Sequence, residues 1–370
     1  MPGSLFKIRW SSPDIGQTEI NQIVKVMRSG WVSQGRVTEE FERKLAEYTG
    51  AKEAIVVNNG TSAILCALMA HGVKPGDRVL VPDYTHVATA NAAKLLGCRV
   101  FFVDIDPDTF NLDYDLLEDA VTKYRPDFVI AVDVAGLPNN IGSLLELSDR
   151  YRFTLIEDAA ESLGGEMRVN RRVGGLGCTT TLSFHAAKQL TTIEGGAVLT
   201  HDSKVAQRCR LIRNHGGAGQ TYISQSVGLN LRTTDIQSAL GLVQLAKLDR
   251  YVSRRNQIAL KYRERLSKLF RFQEIPRYVS RHAYMMFIAV APTKRMRDDL
   301  RRHLERRRIE TRVPWPPLHQ QPHFKIRRGF ERSSNLFEKS ISLPMYNSMS
   351  NFEVQTVVSE VLSFQARSGW

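Results

Sequence analysis

One lysine stands among small, hydroxyl and glycine residues in the segment SFHAAKQLTTIEGGAVLT, residues 183–200. Both ends of this segment have the composition of a β-strand, and nothing between them is amphipathic enough to need a cation for solubility. A lysine whose pKa is lowered by an apolar or cationic setting can form a Schiff base with a carbonyl compound. Lys188 is therefore a candidate for chemistry, with the hydroxyl of Ser183 five residues before it.

A second candidate lies in AIVVNNGTSAILCAL, residues 54–68, where an apolar run leads through Asn58-Asn59 directly into a helical pattern. Free backbone amides at a helix start, together with the hydroxyls of Thr61 and Ser62, would bind a phosphate, with Gly60 in the turn. Simple helix capping by Thr or Ser explains the same residues. The segment is not a Walker loop, because it lacks the lysine after its second glycine.

Carboxylates mark a third position in TLIEDAAESLGG, residues 154–165. Asp158 ends an apolar strand-like run, and Glu161 follows three residues later. A carboxylate there could bind a metal, an amine or a protonated ring nitrogen, or it could only favour the start of a helix. Metal is the weaker choice, because no His or Cys cluster lies nearby in the sequence.

A fourth position precedes a long helical pattern in VGLNLRTTDIQSALGLVQLAKL, residues 227–248. Asn230 and Arg232 stand before an apolar stripe formed by Ile236, Leu240 and Val243. Taken alone, these two polar residues indicate a structural turn.

Strand-like and helix-like segments alternate through the first two-thirds of the chain. The strand-like runs are AIVV, RVLVP, RVFFVDI, DFVIAVDV, TLIEDA, TTLSF and AVLT. Runs without polar alternation are typical of strands covered on both faces, so the pattern predicts an α/β fold with a mostly parallel sheet. Ligands of such sheets bind at the carboxyl ends of the strands, where the first three candidate positions lie.

The pattern changes after about residue 245, where basic helices, two apolar strands and a Pro-rich loop predict a smaller α+β domain. We therefore predict a large domain at residues 1–245 and a small one at 246–370. A chain of 370 residues and 41.9 kDa also exceeds the usual size of a single core. No apolar run could span a membrane, the first residues lack the apolar core of a signal peptide, and the four cysteines have no paired spacing. These features predict a cytoplasmic protein.

The net charge of +13 comes mainly from basic residues in the last third of the chain. A nucleic-acid surface is one interpretation. Solvated faces of two amphipathic helices are another, because Ile258, Tyr262 and Leu266 recur at helical spacing among the charges. No zinc-finger, zipper or RNA-stacking motif accompanies them, so attraction of an anionic substrate is the interpretation we favour.

Pyridoxal 5′-phosphate (PLP) explains the candidate positions together, because it needs a lysine for its aldehyde, an acid for its pyridine nitrogen and donors for its phosphate. Nearly the whole chain resembles the DegT/DnrJ/StrS family of PLP-dependent aminotransferases of fold type I, which aminate nucleotide-linked keto sugars. The matching blocks, in order, are SGWVSQGRVTEEFE, NNGTSA, GDRVLVPDYTHVATANA, VDIDPDTFNLD, IEDAAESLGG, SFHAAKQLTTIEGGAVLT, RNHG, GLNLRTTDIQSALGLVQL and PLHQQP.

The resemblance implies a role for each matching residue. Lys188 corresponds to the lysine that binds the cofactor aldehyde and transfers the proton. Asp158 corresponds to the acid that keeps the pyridine nitrogen protonated, and Glu161 to a residue near the phenolic oxygen, where many members have glutamine. Phosphate ligands correspond to Gly60, Thr61, Ser62 and Ser183, and Asn230 to an asparagine that reaches the phosphate of the partner subunit in a homodimer with shared active sites.

The chain departs from the family at His86, which stands where most members place Phe or Trp over the cofactor ring. We expect His86 to stack there, with Tyr84 as the alternative. We also expect Tyr84, Arg232 and His319 to contact the substrate.

These matches imply transfer of an amino group from L-glutamate to a nucleotide-linked 4-keto-6-deoxy sugar. Glu161 favours amination at C4 over C3, and the sequence does not separate GDP-, UDP- and dTDP-sugars. Alternatives are a C3 keto-sugar or cyclitol aminotransferase, or a DNA-binding regulator without activity. A sugar dehydratase is disfavoured because Lys188 is present, whereas dehydratases of this superfamily carry histidine there.

Overall fold

The computed structural model describes residues 6–168, 171–217, 223–324 and 329–368. Its strands are β1 (Glu53–Val57), β2 (Arg78–Pro82), β3 (Arg99–Val103), β4 (Phe128–Val132), β5 (Thr154–Asp158), β6 (Glu166–Met167), β7 (Arg171–Arg172), β8 (Thr179–Ser183), β9 (Gly196–Thr200), β10 (Arg271–Phe272), β11 (Val279–Arg281), β12 (Phe287–Val290) and β13 (Ser340–Leu343). The α-helices are α1 (Gln17–Ser29), α2 (Arg36–Thr49), α3 (Gly60–Ala70), α4 (Ala88–Leu95), α5 (Tyr114–Tyr124), α6 (Ile141–Tyr151), α7 (Ser203–Arg213), α8 (Asp235–Leu266), α9 (Lys294–Arg306), α10 (Glu331–Lys339) and α11 (Asn351–Ser368).

The seven strand-like runs of the sequence each supply one strand of a seven-stranded sheet with the order β1-β9-β8-β5-β4-β2-β3. Strand β9 is antiparallel to both of its neighbours, and all other neighbouring pairs are parallel. The predicted α/β fold with a mostly parallel sheet is confirmed. The carboxyl ends of β1, β2, β4, β5 and β8 therefore meet at one edge of the sheet.

Both faces of this sheet are covered by helices, which explains why its strands lack polar alternation. Alternate residues of β1 show the division: Ile55 and Val57 pack in the cluster with α3, α4 and α7, while Ala54 and Val56 pack in the cluster with α2 and α8. Helices α5 and α6 cover the second face of β2, β4 and β5. Helix α3, which begins at the carboxyl end of β1, is buried on nearly all sides.

Helix α8 is continuous across the predicted boundary between residues 245 and 246. Leu245, Leu248 and Val252 pack in a core cluster of the large domain, whereas Ile258 and Tyr262 pack in the core of the small domain. The division at 245 stays a prediction, but no loop separates the two parts.

The small domain joins the antiparallel sheet β10-β12-β13 to α9, α10, α11 and the second half of α8. The N-terminal segment contributes to it, because Ile8 pairs with Ile309 and lies in the same apolar cluster. A third sheet, β11-β6-β7, links the small domain to the large one. In the described ranges no helix is long and apolar enough to cross a bilayer.

Candidate active site

A cleft of about 380 Å³ opens at the edge of the large sheet where the parallel strands end. Residues from the turns after β1, β2, β5 and β8 and the last residue of β4 line it, and the small domain closes it with Met285, Met286 and Trp315. The cleft brings together seven residues predicted from the sequence: Gly60, Thr61, His86, Asp158, Glu161, Ser183 and Lys188.

The N-terminus of α3 forms one end of the cleft. The Asn59 side chain accepts from the Ser62 amide at 2.8 Å, and the Asn59 carbonyl accepts from the Ala63 amide at 3.1 Å. The amides of Gly60 and Thr61 are the two of the first four that this cap leaves free, and both residues line the cleft. This end of α3 can therefore bind an anion.

A side chain on Gly60 would obstruct this end of the cleft. A Cβ atom there would lie 2.9 Å from the Cβ and 3.2 Å from the hydroxyl of Ser183, both too close. Gly60 therefore lets the helix start and the Ser183 hydroxyl approach each other closely enough to contact one phosphate. Ser62 differs from the prediction, because it is buried in α3 and its side chain is not part of the lining.

Asp158 presents a carboxylate from the end of β5 to the floor of the cleft. Its Oδ2 accepts from the Thr89 hydroxyl at 2.7 Å and its Oδ1 from the Ala160 amide at 3.2 Å. Burial raises the pKa of Asp158, while these two hydrogen bonds oppose the rise. Because both contacts are neutral, a ligand cation would find an uncompensated buried carboxylate here, which fits the protonated pyridine nitrogen of PLP.

Lys188 lies on the loop after β8, and its ammonium group faces Glu161. The Lys188 Nζ atom is 3.1 Å from Glu161 Oε1, and the two side chains are only 13% and 6% exposed. Glu161 Oε2 accepts from the Ala135 amide at 2.9 Å, so the carboxylate is fixed on its other side. The pair places a largely shielded amine and a fixed carboxylate in the lining of the cleft, and such an amine can condense with an aldehyde once it has lost its proton.

His86 forms a wall of the cleft in the turn after β2. The imidazole Nδ1 accepts from the Ala88 amide at 3.2 Å, and the ring meets the Trp315 ring edge-on at 6.4 Å between centroids. Burial, and then the charge of Lys188, lowers the pKa of His86. A neutral imidazole is therefore available to stack on an aromatic ligand.

Two of the predicted contacts lie outside the cleft. Tyr84 is fully buried in an apolar cluster beneath Trp315 and does not line the cleft. The ring of His319 is held by Asp83 at 2.6 Å, and the His319 amide donates to the other Asp83 oxygen at 2.8 Å. Both side chains thus pack near the loop that carries Trp315, and substrate contact by either one stays a prediction.

Asn230 and Arg232 also lie away from the cleft of their own chain. Asn230 is exposed and pairs through its backbone with Asn214. Arg232 donates to the Asn214 side chain at 2.6 Å. Neither residue lines the cleft of its own chain, so their predicted contacts stay predictions.

Trp10, Met285, Met286 and Trp315 line the cleft although the sequence analysis did not select them. Trp10 belongs to the N-terminal segment and is fixed by a hydrogen bond from its indole to Ser342 at 2.8 Å. No local pattern marks it. Trp315 had a weak signal, since it lies beside the PLHQQP block. Among the described residues, no group of His, Cys, Asp and Glu is arranged to hold a metal ion.

The sheet order and the lysine, acid and anion-binding helix end at one edge define a PLP-dependent enzyme of fold type I. Residues 13–362 match the model of the DegT/DnrJ/EryC1/StrS aminotransferase family, and the chain belongs to that family.

Similar proteins agree with this assignment. GDP-perosamine synthase of Caulobacter vibrioides is 35% identical over 86% of this chain and 87% of its own length. PseC of Helicobacter pylori, an aminotransferase involved in the biosynthesis of pseudaminic acid, superposes with a TM-score of 0.92 at 27% identity, over 97% of this chain and 99% of that one. The PLP form of Spr1654 from Streptococcus pneumoniae has a TM-score of 0.91 at 27% identity, with coverages of 97% and 99%. The protein is a sugar aminotransferase that uses PLP.

Proposed function

We propose that the enzyme moves an amino group from L-glutamate to C4 of a nucleotide-linked 4-keto-6-deoxy sugar. The observation that carries this proposal is the single cleft in which Lys188, Asp158 and the N-terminus of α3 come together. A similar protein named GDP-perosamine synthase supports a nucleotide-linked sugar as the acceptor. Glu161 supports amination at C4, as the resemblance to the family implies.

When bound, PLP supplies an aldehyde that can carry the amino group and a ring that withdraws electrons. In this proposal, the amides of Gly60 and Thr61 and the hydroxyl of Ser183 bind the phosphate. Asp158 holds the positive charge of the ring nitrogen, and His86 covers one face of the ring.

Lys188 then has two tasks that its position allows. Its amine holds the cofactor until the amino donor displaces it, and the freed Nζ moves a proton to and from the carbon that gains or loses the amino group. Glu161 Oε1, at 3.1 Å, orients that amine. The small-domain residues over the cleft exclude water from it.

The proposal includes a homodimer in which each cleft is completed by the partner's exposed loops. Exposed apolar side chains occur in the loop before Asn230, where Val227 is 82% and Ile223 67% exposed, and in the loop that contacts the start of α8, where Trp31 is 63% exposed. These loops adjoin the cleft, because Gln237 after Asn230 donates to the carbonyl of Glu194, a lining residue. Exposed apolar surface of this kind is typical of an interface.

Purified enzyme with PLP and L-glutamate should be incubated with GDP-, UDP- and dTDP-linked 4-keto-6-deoxy sugars, and in parallel with 3-keto sugars and a keto cyclitol. Mass spectrometry would detect the amino product, and NMR would locate its nitrogen. We expect an amino group at C4 with one nucleotide preferred. Amination at C3 or of the cyclitol alone would contradict the proposed substrate.

A further inference from the structure

A fully buried arginine lies in the middle of α8, between its large-domain and small-domain halves. Arg255 is 1% exposed. Its hydrogen-bond acceptors are all neutral: its Nη1 donates to the carbonyls of Tyr284 at 2.9 Å and Met285 at 2.8 Å, and its Nε donates to the Asn347 side chain at 2.7 Å. A buried cation with only neutral partners is costly, and an apolar side chain of similar volume would serve packing at least as well.

One branch of these contacts reaches Glu161 through the backbone. Tyr284, whose carbonyl Arg255 holds, has a φ of +48°, a conformation that a non-glycine residue adopts only when its surroundings enforce it. The next amide, of Met285, donates to the Ala135 carbonyl at 2.9 Å. The Ala135 amide in turn donates to Glu161 Oε2 at 2.9 Å.

The second branch reaches the residue after the lysine. The Asn347 amide nitrogen donates to the Gln189 carbonyl at 2.9 Å, while its oxygen accepts from Arg255. The Gln189 side chain donates to the Glu161 carbonyl at 2.5 Å. Arg255 is thus one end of two short paths that converge on Lys188 and Glu161.

We propose that Arg255 is a positioning residue that fixes the Lys188–Glu161 pair relative to the small-domain wall of the cleft. It touches neither the cofactor nor the substrate. It acts through the Met285 backbone and through Asn347, and it joins movement of the small domain to the geometry of the reacting amine.

The test compares Arg255→Met and Arg255→Lys with Asn347→Ala, which cuts one branch only. Arg297→Met is the control for loss of a buried arginine, because Arg297 is 5% exposed and also donates to two carbonyls, those of Phe337 and Ser340, which do not line the cleft. It differs from Arg255 in having a charged partner, Asp298, at 2.6 Å. Four quantities are measured for each variant. Two come from the single-turnover half-reaction with glutamate, its limiting rate constant (here kcat) and its half-saturating glutamate concentration (here KM). The others are the pH titration of the visible absorption band of the PLP-loaded protein and the thermal midpoint of the apoprotein.

We expect Arg255→Met to lower kcat by about 10- to 100-fold, since small misplacement of reacting groups has costs of that size. In Arg255→Met, KM should change much less than kcat, and the midpoint of the band titration should move. Asn347→Ala should lower kcat and move this midpoint in the same direction, but by less. Arg297→Met should lower only the thermal midpoint.

Wild-type kcat and an unmoved band titration in Arg255→Met would overturn the proposal. The proposal would also be overturned if the loss of kcat were only proportional to the loss of folded protein and Arg297→Met showed the same loss. If Arg255→Met does not fold, Arg255→Lys and Asn347→Ala decide in the same way. The half-reaction rests on the proposed donor, but the band titration needs none, so failure of glutamate as donor is distinguishable from failure of the positioning role.

Discussion

Asp158 is one of three carboxyl groups buried at the ends of β4 and β5. Burial raises the pKa of Asp133 to about 6 and that of Glu157 well above its ordinary range; the charge of Asp133 raises the pKa of Glu157 further, and that of Asp158 raises the pKa of Asp133. Burial therefore favours the neutral, protonated form of Glu157, and Glu157 faces away from the cleft because neighbouring residues of a strand point to opposite faces. Asp158 alone of the three lines the cleft.

Because Asp158 lines the cleft and Glu157 does not, changing each carboxyl group to an amide should affect the activity differently. Asp158→Asn should lower the rate of transamination by about a hundredfold or more while PLP is retained, because a neutral amide does not stabilise a protonated ring nitrogen. Glu157→Gln should keep most of the activity, since it replaces a neutral acid by a neutral amide. Single-turnover rates with glutamate measure both. An unchanged rate in Asp158→Asn would mean that Asp158 only ends its strand.

His86 predicts a dependence of cofactor binding on pH. Its pKa is lowered, so the ring is neutral at pH 7 and becomes charged only below its ordinary value of about 6.5. Protonation would place a cation beside Lys188 and beside the protonated pyridine nitrogen, so the affinity for PLP should fall as the pH drops from about 7 to about 5. In His86→Phe the loss of PLP affinity that is due to protonation of the imidazole should disappear. Equilibrium binding of PLP to apoprotein measures it, and identical pH profiles would exclude a role for the imidazole.

At the scale of elements, α2 begins without a capping side chain of its own. Its N-cap is Gly35, and the carboxylate of Asp235, at the start of α8, accepts instead from the amides of Gly35 at 2.8 Å and Thr38 at 3.0 Å. The Thr38 hydroxyl also donates to Asp235 at 2.7 Å. One carboxylate thus joins the starts of two helices beside the loop that carries Asn230.

Asp235→Ala should destabilise the protein by about 2–4 kcal/mol, because it leaves several buried donors without an acceptor. The thermal midpoint of the apoprotein measures the loss. Asp202→Ala removes an exposed cap, which accepts from the Lys204 and Val205 amides of α7, and should cost less. Equal losses in the two variants would contradict the role given to Asp235.

The elements of the sheet could be predicted from the sequence because both faces of its strands are buried, so their apolar runs are continuous. The direction of β9 could not be predicted, because an antiparallel central strand that is buried on both faces has the same composition as a parallel one. The stripe expected on α8 was only partly right: Leu240 is buried, but Ile236 and Val243 are half-buried. The helix packs on α1 and α2 through other residues, and no local pattern fixes which side meets them.

Some residues of the candidate site could likewise be predicted from the sequence, and others could not. Gly60, Asp158, Ser183 and Lys188 follow strand ends, so their convergence could be inferred from the α/β pattern. Trp10 comes to the cleft from the other end of the chain, and no spacing indicates it. His319 and Tyr84 lie outside the cleft, and the sequence could not show this because a polar or aromatic residue near a motif resembles one that supports the neighbouring loop.

At the scale of the whole molecule, the proposed dimer makes the cleft depend on two chains. Asn230 is exposed, lies outside its own cleft and adjoins the exposed apolar loops. If it completes the partner's phosphate site, its loss should cost about 1.5–3 kcal/mol of PLP affinity, about ten- to a hundredfold.

Mixing two variants tests this sharing: Lys188→Ala, and Asn230→Asp, which adds a charge facing the phosphate, at a PLP concentration at which neither variant alone is active. After subunit exchange between Asn230→Asp and Lys188→Ala, a mixed dimer has one cleft with both an intact lysine and an intact asparagine. Equal mixing should therefore restore roughly a quarter of the wild-type activity. Native mass spectrometry confirms the exchange. Exchange without any recovery would place Asn230 in its own chain's site or in none.

The main proposal is that the enzyme transfers an amino group from L-glutamate to a nucleotide-linked keto sugar, with Lys188 holding PLP and moving the proton. Its most direct test follows the nitrogen: L-glutamate labelled isotopically at its amino group is incubated with PLP-loaded enzyme and the 4-keto-6-deoxy sugar nucleotide, and the product is weighed by mass spectrometry. We expect a labelled amino sugar from the wild-type enzyme and none from Lys188→Ala. Labelled product formed by Lys188→Ala at the wild-type rate would contradict it.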